Sequence, residues 1–480
     1  MFQLSIDCFK EIFECLEDDK STLYSCILVN RFWCKVSVRI LWRNVKNFNT
    51  STFNALISYL PKESKEILDE NGIIISNPTS EFPSFNYASF CKVLSIDEIY
   101  SEINVLLKSQ PTILPQNLKN CTRIVVQEIL KMYMDQVPSL RSLVFLNHQI
   151  KSLNLNLGAK DCLKHLTTLR CSSNISSDFL YQLSQICYNI QSLIIEFKRI
   201  ISHRLADLIS VQKNLKSIGI VLHYYLTIYD LTNIIPPLMS KLPDSLIKLD
   251  IYGGDRCISL SFMTNFINLQ ELQLSFNYNS FTNFENLQYT TFPQLEVLKI
   301  RRMCPSYKLL INFIENNGKN LKELYIGDFT GHSDSILNLA IGKFCPNLRK
   351  LSTGFKNDEL ETLKLVFENC RYLESIMIWC GEEYLNEKEA FETVMNYSLN
   401  IHELILYHRF HTQVELLPKE LESLLVRWKN RIQRSLSLIT IADDRGIDKN
   451  NENMEIIKKY IELGVLKKFK AINYDDYSFD

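Results

Sequence analysis

His408 and His411 stand three residues apart with His402 nearby, a spacing that could turn imidazoles toward a zinc ion. Zinc sites are built from His, Cys and carboxylate ligands, four in a structural site. No Cys pair or acidic motif completes a set here, so these histidines read as surface or strand-edge residues. The 14 cysteines are scattered and none shows C-x-x-C spacing. They fit a reducing compartment, as small apolar core residues. There is no G-x-x-x-x-G-K-[ST] loop, no G-x-G-x-x-G and no G-x-S-x-G elbow, and glycine is scarce at 13 of 480 residues. Carboxylates are plentiful but no motif pairs them. No catalytic residue, metal or cofactor is expected, which leaves binding as the role.

Composition narrows the partner. The 53 Lys+Arg and 54 Asp+Glu give a net charge of −1, with no global basic field for nucleic acid, although a local patch remains open. The first residues carry Asp7, Lys10, Glu11 and Glu14, which interrupt any signal-peptide core, and no stretch has the length and purity of a membrane helix. A cytoplasmic or nuclear chain without membrane contact is expected. At 46% hydrophobic and 22% charged it can build a sizeable core.

The elements that would carry a binding surface are repetitive. The unit is an apolar residue, two variable positions, an apolar residue, one variable position and a third apolar residue. Leu140, Leu143 and Phe145 fit it, as do Leu166, Leu169 and Cys171; Ile190, Leu193 and Ile195; Leu215, Ile218 and Ile220; and Leu246, Leu249 and Ile251. Leu269, Leu272 and Leu274 follow, then Leu295, Leu298 and Ile300; Leu321, Leu324 and Ile326; Leu348, Leu351 and Thr353; Leu373, Ile376 and Ile378; Ile401, Leu404 and Leu406; and Leu421, Leu424 and Val426. Spacings run from 20 (Ile401 to Leu421) to 31 (Leu215 to Leu246), mostly near the leucine-rich-repeat period. Alternating apolar positions make one face of a short strand. Intervening stretches such as Phe179, Leu180, Leu183 and Ile186, or Leu309, Leu310, Phe313 and Ile314, have helical period. One strand and one helix cannot bury their own apolar faces, so neighbours must stack, with a parallel sheet on the concave side and helices outside. Cys187, Cys345 and Cys370 each precede a repeat by three residues. This resembles the cysteine-containing leucine-rich repeat, which implies buried, non-ligating thiols. Asparagine at the turn is sparse, with Asn174 and Asn277 the best cases, so an asparagine ladder is not expected.

Before the repeats the period changes. Phe9, Ile12, Phe13 and Leu16 lie at helical spacing with Asp7 as N-cap. Leu23, Ile27 and Leu28 form a second helix, and "VNRFWCKVSVRILW" at 29–42 a third. About 45 residues is close to the smallest unit that folds alone, and six large aromatic residues exceed what it can cover, which points to a partner surface. From Leu4 through "IDCFKEIFECL" to "LYSCILVNRFWCKVSVRILW" the segment resembles the F-box, with Leu4-Ser5 where that family usually opens Leu-Pro. F-box followed by repeats is the order of the F-box/leucine-rich-repeat proteins.

The resemblance implies a substrate-receptor subunit of an SCF-type ubiquitin ligase, not itself an enzyme. It implies a Skp-type adaptor bound through Leu4, Ile6, Phe9, Ile12, Leu16, Leu23, Leu28, Val29, Trp33 and Trp42, and through the adaptor a cullin and a RING subunit. A protein target would be held by the repeats for ubiquitin-dependent degradation. The expected organisation is an F-box over 1–45, a helical joining region with a degenerate first repeat over 46–130, and a solenoid with its cap over 131–480. The fold class is α/β. Two other readings stand beside this one, a binding scaffold outside ubiquitylation and a repeat-type regulator in which 1–45 is only a cap.

In the register of the repeats, the positions flanking the strand's apolar residues should face the open side. They are small early (Ser142, Thr168, Ser192, Ser217, Gly219), charged in the middle (Lys248, Asp250, Glu271, Lys299, Arg301) and apolar or aromatic late (Tyr325, Met377, Trp379, Ile405, Tyr407, Leu425). Such a late patch is either a target-binding anchor, with Lys299 and Arg301 meeting acidic groups beside it, or a surface covered by the carboxy-terminal "YDDYSF". In the tail, 436–442 and Leu466 to Ile472 read as strands and Met454 to Leu463 as an amphipathic helix.

Overall fold

The computed structural model describes residues 6–45, 48, 50–74, 84–146, 157–224, 226–253, 258–277, 281–327, 331–408, 416–431, 434–442 and 447–474. The chain divides into two compact units, 1–221 with 241–245, and 222–240 with 246–480.

The first unit opens with three helices, α1 (Ile6–Glu14), α2 (Lys20–Ile27) and α3 (Arg31–Leu41). The side chain of Asp7, the expected cap of α1, lies outside the described residues. The Asp19 carboxylate accepts the Thr22 amide at 3.0 Å and caps α2, and the Asn30 side chain accepts the Trp33 amide at 2.9 Å and caps α3. Phe13, Leu23, Cys26, Ile40 and Leu41 fill the middle, with Phe9, Leu16, Ile27, Trp33 and Trp42 packed around them. Four further helices follow, α4 (Thr50–Ser58), α5 (Lys62–Glu70), α6 (Ile96–Lys108) and α7 (Pro115–Gln136). The bundle is stitched to the repeats by backbone, since the Arg43 carbonyl accepts the Lys92 and Val93 amides and Asn44 forms a parallel bridge with Val93.

Among the described residues the first unit carries five parallel strands in chain order, β1 (Val93–Ser95), β2 (Ser142–Phe145), β3 (Thr168–Ser172), β4 (Ser192–Phe197) and β5 (Ser217–Leu222). The second carries β6 (Lys248–Gly253), β7 (Glu271–Phe276), β8 (Val297–Arg302), β9 (Glu323–Ile326), β10 (Lys350–Thr353), β11 (Ser375–Cys380), β12 (Glu403–His408), β13 (Leu436–Ile441) and β14 (Leu466–Ile472), again in order. The middle apolar residue of each repeat sits beside its counterpart. Leu94, Leu143, Leu169 and Leu193 align in the first unit. Leu249, Leu272, Leu298, Leu324, Leu351, Ile376, Leu404 and Leu438 align in the second. All twelve are buried. Helices such as Ser177–Ile186, Tyr307–Asn317 and Leu360–Asn369 cover this inner face. Between Leu246 and Leu295, 3-10 turns at Ser261–Asn265 and Thr282–Asn286 replace them. The fold is an α/β leucine-rich-repeat solenoid.

One sequence expectation needs correction. The segment with Leu421, Leu424 and Val426 is helix Pro418–Arg431, and the next strand is β13. Leu421, Leu424, Leu425 and Trp428 lie at helical spacing and form its buried side. Asparagine side chains do bond between turns one residue before the first apolar position, in separate rungs interrupted at Tyr372. Asn320 donates to the Pro293 carbonyl, Asn347 to that of Lys319 and Asn400 to that of Arg371, at 2.8–2.9 Å. Three places before the repeat, buried side chains tie the turns together. Gln212 accepts the Ile190 amide and donates to the Cys187 carbonyl, and the Cys370 thiol lies 3.4 Å from the Cys345 carbonyl.

Candidate binding surfaces

The described cysteines are free thiols. Burial pushes Cys187 and Cys370 up to about 12, which suits inert core thiols. Among the described residues no cluster of three or more His, Cys, Asp or Glu is arranged to hold a metal ion. His408 is buried and its Nε2 meets the carboxylate of buried Glu387, which also accepts the Leu416 amide at 3.3 Å. His411 lies outside the described residues. No helix among them is long and apolar enough to cross a membrane.

The amino-terminal bundle sorts its expected contact residues into three groups. Leu4 lies outside the described residues, and Ile6 opens α1. Leu23 is wholly buried, a core residue and not a contact residue. Phe9, Leu16, Trp33 and Trp42 are partly buried against the core, and the Trp42 ring is stacked on Tyr87 at 4.1 Å, so Trp42 is covered by this chain itself. Ile12, Leu28 and Val29 stand in water at 48%, 86% and 56% exposure. The turn from α2 to α3 explains the last two. The amides of Leu28 and Val29 close onto the Ser25 and Cys26 carbonyls, and Asn30 starts the next helix at once. That geometry carries two successive apolar side chains outward. Tyr24, four residues before Leu28 on the same helix face, is 60% exposed and joins them. Its i, i+4 relation to Leu28 was the readable signal.

The open strand face differs from its sequence reading in both charge and exposure. In the second unit Lys248 lies 3.0 Å from Glu271 and 3.7 Å from Asp250, and Lys299 lies 3.6 Å from Glu271 and over the Tyr325 ring at 5.6 Å. Burial raises the Asp250 carboxyl above its ordinary range, and the Lys248 charge works against it. Lys299 already faces an acid, and Arg301 is buried, so neither is an open cation awaiting one. In the first unit the Arg170 guanidinium holds Glu196 at 2.7 Å.

The aromatic patch is internal. Met377, Trp379 and Tyr407 are buried with Tyr384, Ile439, Ile441 and Tyr474, and Ile405 packs against them. Tyr474, two residues beyond β14, lies 5.4 Å from the Tyr407 ring, and its hydroxyl donates to the His408 carbonyl. The Tyr384 hydroxyl donates to the Gly331 carbonyl at 2.5 Å. A Cβ on Gly331 would stand 2.7 Å from the Trp379 ring, so only glycine lets the backbone lie on the indole. Leu425 is on helix Pro418–Arg431, away from any strand. Sequence register placed these rings on the strand face, and residues remote in sequence cover them.

No family model and no curated protein matches the chain. Among solved structures it is similar to the leucine-rich-repeat-containing protein LegL7 from Legionella pneumophila, at TM-score 0.33 and 14% identity, covering 68% of this chain and 93% of that one. It is also similar to a chain of the Rad7 and Elc1 complex in yeast, at TM-score 0.39 and 16% identity, covering 72% of this chain and 88% of that one. At these values neither likeness speaks to activity or partners.

Proposed function

We propose that this chain is the target-recognition subunit of an SCF-type ubiquitin ligase, docking a Skp-type adaptor on its amino-terminal bundle and a protein target on the open strand face. The observation that carries the reading is the set Ile12, Tyr24, Leu28 and Val29, four large apolar side chains left in water on a capped three-helix unit that also has the F-box sequence pattern. Large apolar side chains left exposed on so small a unit are what an interface would cover. The transfer chemistry then belongs to the cullin and RING subunits, and this chain is a non-enzymatic receptor of the cytoplasm or nucleus. Its target face is the partly open strand surface of the second unit, including Lys248, Lys299 and Tyr325.

Co-purification with a Skp-type adaptor tests this. The full chain is expected to capture the adaptor and, through it, cullin-dependent ubiquitin transfer. The double variant Leu28→Asp, Val29→Asp is expected to capture neither while melting at the wild-type temperature. Adaptor capture without ligase activity would establish a scaffold outside ubiquitylation. No capture by the wild-type chain would defeat the reading.

A further inference from the structure

In the second unit, the row of strand residues that holds Lys299 and Tyr325 does not stop there. In register it passes through Ser352 to Met377, Ile405 and Ile439, and a second row of Trp379, Tyr407, Ile441 and Ile472 runs beside it. Lys299 and Tyr325 are half-buried, whereas the apolar stretch from Met377 onward is enclosed in one cluster with Tyr384 and Tyr474. Its two ends are covered differently. Over Trp379 lies the Gly331 backbone, held there by the hydroxyl of Tyr384, which donates to the Gly331 carbonyl at 2.5 Å. Over Tyr407 lies Tyr474, which reaches the cluster from beyond β14 and belongs to no repeat.

We propose that Tyr474 occupies, within its own chain, a site for a tyrosine-bearing peptide segment of the target, and that such a segment binds by taking its place. The assignment of the segment to a target rests on the proposed function, and the site extends that target face along its own register row. The pose of Tyr474 states the chemistry. Its ring lies 5.4 Å from the Tyr407 ring, and its hydroxyl donates to the main-chain carbonyl of His408. A phenylalanine would supply the ring without the donor, and a charged side chain would lose its water among Met377, Ile439 and Ile441. Tyrosine is also a favoured anchor of protein interfaces, because it brings a large apolar ring and one polar tip. The cover can leave while the sheet stays, because local openings cost less than global unfolding. The Ala442 amide remains bonded to the Ile472 carbonyl at 3.1 Å when only Tyr474 swings away.

Fluorescence anisotropy of a labelled synthetic peptide, NYDDYSFD, the sequence of residues 473–480, tests the proposal on the full chain. Tyr474→Ala is expected to bind it saturably and about tenfold or more tightly than the wild type, whose own tyrosine competes at the high effective concentration of a tether. The same peptide with alanine in place of its first tyrosine should bind that variant about tenfold or more weakly. Tyr474→Phe keeps the ring in place and loses only the hydroxyl bond, so its affinity for the peptide should rise a few-fold above the wild type. No gain over the wild type in either variant, or equal binding of the two peptides, would overturn the site. Should Tyr474→Ala lose its cooperative melt, the phenylalanine variant decides alone by the same criterion. Adaptor capture by the same proteins reads the proposed function separately. Capture without a gain in peptide affinity sinks only the tyrosine site, and a gain without capture sinks only the receptor reading and leaves the peptide site standing.

Discussion

The amino-terminal bundle and the far end of the second unit are both crowded with large apolar side chains, and they dispose of them in opposite ways. The bundle leaves Leu28 86% and Tyr24 60% exposed, whereas at the other end Trp379 and Tyr407 are 0% and 1% exposed. Residue type does not separate the two. Cover does. A three-helix unit has only one interior, and its α2–α3 turn pushes two apolar residues away from it. Strands β11 and β13 are buried along their whole length because helices pack on one face and Tyr474 and the Gly331 backbone on the other. Early strands of the same repeat, such as β2, alternate between buried and half-buried. An aromatic stripe in a repeat register therefore marks a binding surface only once it is known what lies above it.

The comparison breaks most visibly at Trp379. As a fully enclosed indole, Trp379→Ala should cost about 3–5 kcal/mol, a large fall in the denaturant midpoint of the second unit. A surface anchor would lose target affinity and keep its midpoint, so an unchanged midpoint would return the patch to the surface. At the bundle the signs reverse. Leu28→Asp should leave stability within about 0.5 kcal/mol and weaken adaptor binding by about 2 kcal/mol or more, roughly thirtyfold, measured by titration of the full chain.

The repeats were legible because burial on one strand face imposes a period that Leu, Ile and Val reveal directly. Eleven of the twelve triplets, from Leu140 to Leu406, fall on β2 to β12. The twelfth failed because the step from Leu421 to Leu424 fits strand and helix patterns alike, and Leu425 and Trp428 extend it as the buried side of helix Pro418–Arg431 while Val426 falls on the exposed side. The tail strands β13 and β14 were readable from their own apolar runs. The site was less legible. Helical spacing identified a surplus of apolar residues in the bundle but could not sort Leu23, which is enclosed, from Leu28, which is not. For Trp379 the sequence left two readings open, a target-binding anchor or a surface covered by the carboxy-terminal "YDDYSF", and Tyr474 of that segment packs in the cluster that encloses it. The recurring Asn-Leu of "KNLKEL" and "PNLRKL" marks the turn bonds of Asn320 and Asn347, one residue before the first apolar position and not at the turn positions of Asn174 and Asn277.

A third, smaller effect compares the two units through one device. Gln212 in the first and Asn317 in the second occupy the end of a repeat helix, bury their amides and bridge backbone groups of the preceding turn. Asn317 accepts the Phe292 amide at 2.6 Å and donates to the Thr290 carbonyl at 2.9 Å. Asn317→Leu keeps comparable volume and strands both groups, so about 1–3 kcal/mol should be lost. Gln212→Leu should lose a comparable amount by the same measurement, since its side chain serves the Ile190 amide and the Cys187 carbonyl. A neutral result in either unit would mean that the turns do not depend on these amides there.

The smallest effect is electrostatic and sits in the bundle. The side-chain hydrogen bond from Arg43 holds the Glu14 carboxyl below its ordinary 4.5. A folded-state pKa below the unfolded one adds stability above the unfolded value, and that stability is lost as pH falls through the folded value. Glu14 is about half exposed, with 47% of its side chain in solvent, so solvent screening keeps the contribution below about 1 kcal/mol. Asp97 and Asp250 act the other way, because burial raises both and favours their protonated forms. The acid dependence of the whole chain mixes the two signs, and only a difference isolates the pair. Between neutral pH and about pH 4, Arg43→Gln should lose less stability than the wild type, because its Glu14 no longer has a depressed pKa to forfeit. Parallel acid dependences in the two proteins would show that the Arg43–Glu14 bridge does not tie α1 to the end of α3 in solution.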